Sequence, residues 1–487
     1  MSAQEFDVVV IGAGPVGENV ADRVNQGGLS VAVVEAELVG GECSYWACIP
    51  TKALLRDAAA LRAVRHLPGA RAAVTGDLDV AAVLRRRDRF ADGFADDGQV
   101  DWLTAVGITL VRGHGRLSGR RAVTVTGPDG GTVQLAARHA VVLATGTSAA
   151  VPPIPGLADA RPWTSRDAAS SSTVPDRLAI IGGGVVGTEM ATAYRALGAA
   201  VTLIARDGVL PAVEPYASSL VVDSLRAAGV EVLIGASPTA VERDATGTVR
   251  ITLADGASVE ADEVLAATGR APKTTDLGLE QVGLVPGDWL TVDDTLRVVD
   301  GSGALLDGGW MYAAGDVNRR VLLTHQGKYQ ARAVGDLIVA RAKDEPVDTA
   351  PWGRHVPTAD DHAVPQVVFS EPEIASVGLT LRAAEAAGRR VRSVEYDLGA
   401  VSGAALQADD YRGRAGMVID EDTSTVVGFT AVGPDVAELL QAATIAVVGQ
   451  VPLHRLWHAV PAFPTVSEVW LRLLETAGRD TADRRPA

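Results

Sequence analysis

The chain has 487 residues, enough for about three domains that each bury a core, so a single small module is excluded. Hydrophobic residues make up 47% and charged residues 21%, an ordinary globular composition, and no apolar run is long enough to cross a bilayer. With 44 Lys and Arg against 60 Asp and Glu, the net charge of −16 argues against nucleic acid and anionic membranes as partners.

The opening MSAQEFDVVVIGAGP carries no basic leader and no small-residue cleavage site, so the cytoplasm is the expected location. Within FDVVVIGAGPVGENVADRV an apolar strand runs into Gly12, Gly14 and Gly17 and then a helical pattern, and a second strand, LSVAVVEAE, ends at Glu35. Strand, glycine turn, helix, strand and terminal acid make up a dinucleotide-binding unit. Gly12 permits the tight turn, Gly14 lets backbone approach a pyrophosphate, Gly17 lets the helix pack on the sheet, and Glu35 would accept from a ribose hydroxyl. Next comes GGECSYWACIPTKALLRD, residues 40–57, which holds both cysteines of the chain, Cys43 and Cys48. Their proximity marks either a redox pair or half of a metal site. Residues 58–110 carry helical patterns, and short strands in VRGHGRL and RAVTVTG lead into HAVVLATGT.

The unit then occurs a second time. DRLAIIGGGVVGTEMATAYRALGAAVTLIARDG repeats strand, glycine turn (Gly182, Gly184, Gly187), helix and strand. Glu35 follows Gly12 by 23 positions, and the same interval from Gly182 lands on Ala205, with Arg206 beside it. Loss of the ribose-binding acid and gain of a guanidinium favour a 2′-phosphate, which arginine can pair bidentately. The expectation is FAD in the first unit and NADPH, in preference to NADH, in the second. Strands in VEVLIGA, VRITLADG and DEVLAATGRAP follow, and both units close on ATG. Beyond GWMYAAGDV, from about residue 346, strands such as PQVVFSEPEIASVG and TSTVVGFTAVG and the helix DVAELLQAATIAVVG predict a separate α+β domain. The last segment, GRDTADRRPA, is charged and aperiodic and is expected to be disordered.

The CxxxxC after a GG pair, the IPTKALL that follows, two GxGxxG units, ATG, ATGRAP and AAGDV occur in an order that resembles the pyridine nucleotide-disulfide oxidoreductases. These flavoproteins include dihydrolipoamide dehydrogenase, glutathione reductase and mercuric reductase. The resemblance runs from residue 5 to about 475. It implies an α/β fold with two Rossmann-like dinucleotide-binding domains and a C-terminal α+β dimerisation domain. The implied boundaries are 1–150 and 271–345 for FAD, 151–270 for NADP, 346–475 for dimerisation and 476–487 for the tail. The same likeness implies a homodimer and assigns the site. Cys43 would be the interchange thiol that meets substrate, Cys48 the thiol against the flavin, Lys52 the lysine near flavin N5 and Glu189 its carboxylate partner. Asp316 would hold the ribityl chain, and the THQGKYQA segment opening at Thr324 would face the flavin pyrimidine. Gly41, Thr145 and Gly146 of the first ATG, Gly269 and Arg270 of ATGRAP, and Gly315 complete the implied cofactor contacts. A metal site fits poorly beside this, because zinc asks for three or four ligands and no His-rich cluster accompanies the pair.

The sequence also departs from the family. Disulfide reductases of this kind carry a His-Pro-Thr stretch ending in Ser-Glu, the histidine serving the interchange thiol of the other subunit. Here AFPTVSEVW keeps Pro464, Thr465, Ser467 and Glu468, the last of which the resemblance places in the catalytic set, but has Phe463 in the histidine's place. Phenylalanine transfers no proton, and a positioned acid-base group is worth ~10²–10⁴ in rate. His458, five residues earlier, is the nearby candidate for a substitute base. Between the cysteines, Ser44-Tyr45-Trp46-Ala47 places two aromatics, which predicts a different outer pocket. Mercuric reductase also lacks that histidine and likewise ends its second unit in Ala-Arg, as in LIARDG. Its C-terminal cysteine pair is absent here, so mercury is not the expected substrate. The leading expectation is an enzyme that moves electrons from NADPH through FAD and the Cys43–Cys48 pair to a small-molecule acceptor such as a quinone or metal ion. The alternatives are a small-disulfide reductase with a substitute base and a thiol sensor without turnover.

Overall fold

Strand β1, Gln4–Ile11, is a continuous apolar run because both of its faces are covered. Val8 and Val10 pack beneath helix α1, Pro15–Gln26, and the long helix Thr324–Ala342, whereas Val9 and Ile11 face Leu117, Val123, Leu135 and Trp310 on the other side. The computed structural model describes residues 3–478 and forms two compact units.

The first unit contains residues up to Pro50, Asp88–Ala150 and Arg270–Asp361. In its main sheet, β1 lies between strand β2, Val31–Glu35, and strand Thr132–Leu143, parallel to both. Strand Thr109–Arg112 extends the sheet parallel beyond β2. On the far side a meander of Ala122–Thr126 and His114–Gly119 runs antiparallel, and Met311–Ala313 pairs with Thr132–Leu143. A two-stranded ribbon joins Arg270–Pro272 to Thr147–Ala149.

The second unit contains Thr51–Arg87, Val151–Gly269 and the residues from His362 on. Its parallel sheet runs in the order Glu231–Ile234, Ala200–Ala205, Arg177–Ile181, Glu263–Ala266. A three-stranded antiparallel meander covers Pro238–Arg243, Val249–Leu253 and Ser258–Ala261. The C-terminal part is a five-stranded antiparallel sheet in the order Pro365–Val368, Glu373–Gly378, Thr425–Gly433, Arg414–Asp420, Val391–Asp397. Helices Leu440–Val448 and Val469–Ala477 pack on it, and Trp470 stacks on Phe429 with ring centres 4.9 Å apart. The expected mixed α/β architecture, two glycine-turn sheets and a C-terminal α+β part, is the one observed. Of the expected disordered tail, residues 476 and 477 finish the last helix, and 479–487 lie outside the described residues.

The two glycine turns repeat the same close packing. A Cβ at Gly17 would sit 1.8 Å from the Gly12 carbonyl oxygen, and one at Gly187 would sit 1.9 Å from that of Gly182. Gly12 itself has φ +101° with its Cα face against the Ala144 carbonyl, so both a side chain and its conformation are excluded there. Gly17→Ala should therefore push α1 off the sheet and cost about 3 kcal/mol. A urea unfolding midpoint equal to wild type would refute this account of the packing.

Candidate active site

In the first unit the glycine turn, the ATG loop and the cysteine helices converge. The Gly40 amide donates to the Ala13 carbonyl (2.8 Å), and Gly41 (φ +56°) sits so close that an added Cβ would lie 2.9 Å from the Gly14 Cα. Glu35, at the end of β2, accepts from the Ala13 amide at 2.7 Å and the Glu37 amide at 2.8 Å. Gly14 and Gly146 have open space where a Cβ would be, and the buried Thr145 hydroxyl oxygen has no partner. An open, amide-lined turn at a helix N-terminus with an orphaned hydroxyl fits a bound dinucleotide. Asp316 accepts from the Thr147 hydroxyl at 2.7 Å, and Arg270 donates to that hydroxyl and, at 2.9 Å, to the Thr147 carbonyl. Burial raises the Asp316 carboxyl, with the Thr147 bond and the Arg270 charge opposing it and Glu42 adding to it.

Cys43 lies on the short helix α2, Gly41–Tyr45, and Cys48 begins the long helix α3, Cys48–Arg65. Both are partly buried thiols, not joined in a disulfide. The Cys48 sulfur is 3.5 Å from the Thr324 hydroxyl, so Cys48 and Thr324, which are 276 positions apart, are brought together. The Cys43 thiol is pushed far up by its hydrogen bond to Cys48, then by burial and by charge on Cys48, while Thr324 and Lys328 oppose this. Cys43 is thereby held in its protonated form, and Cys48 stands at the first position of its helix. Tyr45 does not line an outer pocket as the sequence suggested. It is fully buried, with its hydroxyl 3.0 Å from the Val39 carbonyl and 2.9 Å from the Gln99 amide oxygen, and only Trp46 is left partly exposed. Two residues escaped the sequence reading. Glu18 in the first turn of α1 has a carboxyl pushed up to about 7 by burial, with Lys328 opposing and Glu35 reinforcing the rise, and its Oε1 is buried without a partner. Glu18 directly follows the last glycine of the turn and Lys328 lies within THQGKYQA, but neither motif assigns a role to these side chains.

In the second unit Gly182, at φ +119°, approaches the Ala267 carbonyl, and Gly184 is open as Gly14 is. Ala205 ends its strand one residue past the partner of Ile181, as Glu35 ends β2 one past the partner of Ile11. The acid is therefore missing from the equivalent structural position. Arg206 is 74% exposed and pairs with Asp207 at 2.8 Å, so an incoming phosphate would compete with that carboxylate. Gly269 has φ +134° and open space at its Cα. Lys52 and Glu189 are brought together at 2.8 Å, with the Glu189 carboxylate almost fully buried. Glu189 also accepts from the Phe369 amide at 2.9 Å, and the Lys52 ammonium lies 5.0 Å from the centre of the Phe369 ring. Phe369 thus fixes both members of the pair, a role no sequence pattern signalled.

In the C-terminal part Phe463 is 74% exposed. His458 follows the helical turn Leu453–Leu456 with an exposed side chain, its amide bonded to the Arg455 carbonyl at 3.0 Å. Glu468 is buried and pairs with Arg472 one turn later, while its second oxygen, Oε2, is buried without a partner.

Residues 6–331 match the model of the pyridine nucleotide-disulphide oxidoreductases, and residues 364–473 match the dimerisation domain of the same family. The chain belongs to this family. Its C-terminal match supports a homodimer, and the family implies an enzyme that uses FAD and a pyridine nucleotide. The dihydrolipoyl dehydrogenase of Chlamydia pneumoniae is 33% identical over 477 residues, 96% of each chain. The mercuric reductase of Shigella flexneri is 31% identical over 98% of this chain and 82% of that one. LpdA of Mycobacterium tuberculosis has a TM-score of 0.82 at 25% identity, covering 98% of this chain and 100% of that one. The HOCl-induced flavoprotein disulfide reductase RclA of Escherichia coli, as a Cu(II) complex, shares the fold with a TM-score of 0.81 at 23% identity, covering 97% and 99%. Among the described residues no helix is long and apolar enough to cross a membrane.

Lys52 is the cationic partner of the buried Glu189 carboxylate. Lys52→Met should cost about 2 kcal/mol, below the ~3–5 kcal/mol of a fully buried pair because the lysine is about a third exposed. Adding Glu189→Gln should recover most of it in a double-mutant cycle read by denaturant unfolding. Strictly additive losses would show that the two side chains do not support each other.

Proposed function

We propose that this protein is a FAD-dependent NADPH oxidoreductase that delivers electrons through Cys43 and Cys48 to a small-molecule acceptor, such as a quinone or an oxidised metal ion, in a reducing cytoplasm. The observation that carries the choice of acceptor is Phe463, which stands where a disulfide reductase of this family needs a proton-transferring histidine. When bound, FAD and NADPH supply the hydride chemistry. The chain's residues that would hold the flavin nucleotide are the Gly12–Gly17 turn, Glu35, Gly41, Thr145, Gly146, Gly315, Asp316 and Thr324. Gly182, Gly184, Gly187, Arg206 and Gly269 would hold the nicotinamide nucleotide.

Cys48 stands at its helix start, a position that favours a thiolate, and Cys43 is held protonated. Opening the Cys43–Cys48 bond with the hydride's two electrons and one proton would leave a Cys43 thiol beside a Cys48 thiolate, and closing it passes those electrons and that proton to the acceptor, whose second proton comes from solvent. For a quinone the balance is NADPH, one proton and quinone giving NADP⁺ and hydroquinone, and it needs no further acid. A thiol-disulfide exchange would instead require Cys43 to lose its proton, which the environment of Cys43 opposes and Phe463 cannot assist. The relatives named dihydrolipoyl dehydrogenase favour a second reading, reduction of a small disulfide with a substitute base such as His458. Mercury is a poorer candidate than for the mercuric reductase relative, since Cys43 and Cys48 are the only cysteines.

An anaerobic NADPH titration should consume two equivalents, with a long-wavelength absorbance band after the first. One equivalent and no band would remove the cysteine pair from the electron path. Phe463→His should raise lipoamide reduction by ~10²-fold while leaving quinone reduction near its starting rate. Lipoamide turnover in the unaltered enzyme that equals its quinone turnover would favour the second reading. Arg206→Glu should lower kcat/KM for NADPH by about tenfold relative to NADH, and an unchanged preference would overturn the assignment of Arg206 to the 2′-phosphate.

A further inference from the structure

Asp360 lies between the two stretches that match the family, in a segment that neither family model covers. Its carboxylate is completely buried in the first unit. The Gln326 amide donates to Oδ1 at 2.9 Å, and the Gln330 amide donates to Oδ2 at 2.7 Å, both from helix Thr324–Ala342. Arg320 brings a positive charge to 3.7 Å and is itself shared with Asp361 at 3.0 Å. Gln330 is also fully buried, and its oxygen accepts twice, from the Gly315 amide at 2.8 Å and from the Asn318 amide at 2.9 Å. Asn318 is anchored in turn to the Ala313 carbonyl at 3.0 Å.

An amide side chain has a donor end and an acceptor end. With two donors on its oxygen, Gln330 must present its nitrogen to residue 360, where the carboxylate has one oxygen for it and the other for Gln326. If Gln330 turned over, its NH₂ would face the Gly315 N–H and both buried donors would be unpaired. We infer that Asp360 is a positioning residue for flavin binding, which through Gln330 holds the Gly315–Asp316 loop in the geometry that receives the cofactor. Gly315, at φ +78°, is packed so closely that a Cβ there would lie 2.8 Å from the Val16 side chain at the start of α1. Burial pushes the Asp360 carboxyl up to about 6, against the pull of Gln330, Arg320 and Gln326, so it is charged at pH 8. The inference rests on the functional reading above, in which this loop meets FAD.

The experiment is the rate of FAD release from the purified holoenzyme at pH 8, followed by the rise in free-flavin fluorescence. In Gln330→Glu two carboxylates would face each other across the bridge, and release should accelerate about tenfold. Adding Asp360→Asn reverses the polarity of the pair, because the introduced asparagine amide can donate to the introduced glutamate carboxylate while its oxygen still accepts from Gln326. The double variant D360N/Q330E should return to within about threefold of the wild-type rate. Wild-type release in Q330E, or no recovery in the double variant, would overturn the inference. Should Q330E fail to fold, a folded double variant with wild-type release supports the bridge, and a double variant that also fails rejects it. A wild-type protein that takes up no FAD at all would reject the functional reading and this inference with it.

Discussion

The contact on which the first unit's chemistry depends is the one between two backbone segments, Ala13–Gly14 and Gly40–Gly41. One amide-to-carbonyl bond of 2.8 Å and an approach too close for any side chain tie the start of the cysteine-bearing helices to the turn that offers its amides to a phosphate. Everything that follows in sequence inherits that position. Cys43 lies within the first turn after it, and Cys48 heads the next helix. Such a joint is made of main chain, so it does not depend on a rotamer, and it costs only the glycines that permit it.

The same features explain why so much was legible in the sequence. Backbone-determined devices leave a spelled-out trace: glycines at fixed intervals, an acid ending β2, and a pair of cysteines behind a GG dipeptide. Equivalent ends of β2 and of strand Ala200–Ala205 confirm that counting from the glycines finds the same structural position in both repeats. What stayed hidden was carried by side chains without a required spacing. Phe369 fixes the Lys52–Glu189 pair from 180 positions beyond Glu189, and the Gln330–Asp360 bridge joins residues that only the fold brings together. Tyr45 was misread for a related reason: an aromatic between reactive cysteines suggests an outer wall, but its hydroxyl finds partners inside, and burial of the ring outweighs display.

The C-terminal part shows how a lost residue is absorbed. Glu468 remains buried, and a buried carboxylate without its imidazole would be expensive to keep. Arg472, one turn along the same helical segment, supplies the compensating charge. The partner of this carboxylate is thus a permanently charged group, not one whose protonation changes near neutral pH. The compensation is partial, because the second oxygen of Glu468 stays buried without a partner.

The buried Tyr45 also bears on the span between the cysteines. Its ring pins the middle of the four-residue link between Cys43 and Cys48 to the interior, with Trp46 against its edge at 5.6 Å. A span anchored at its centre leaves the two thiols to approach or separate chiefly by turning about their own side-chain bonds.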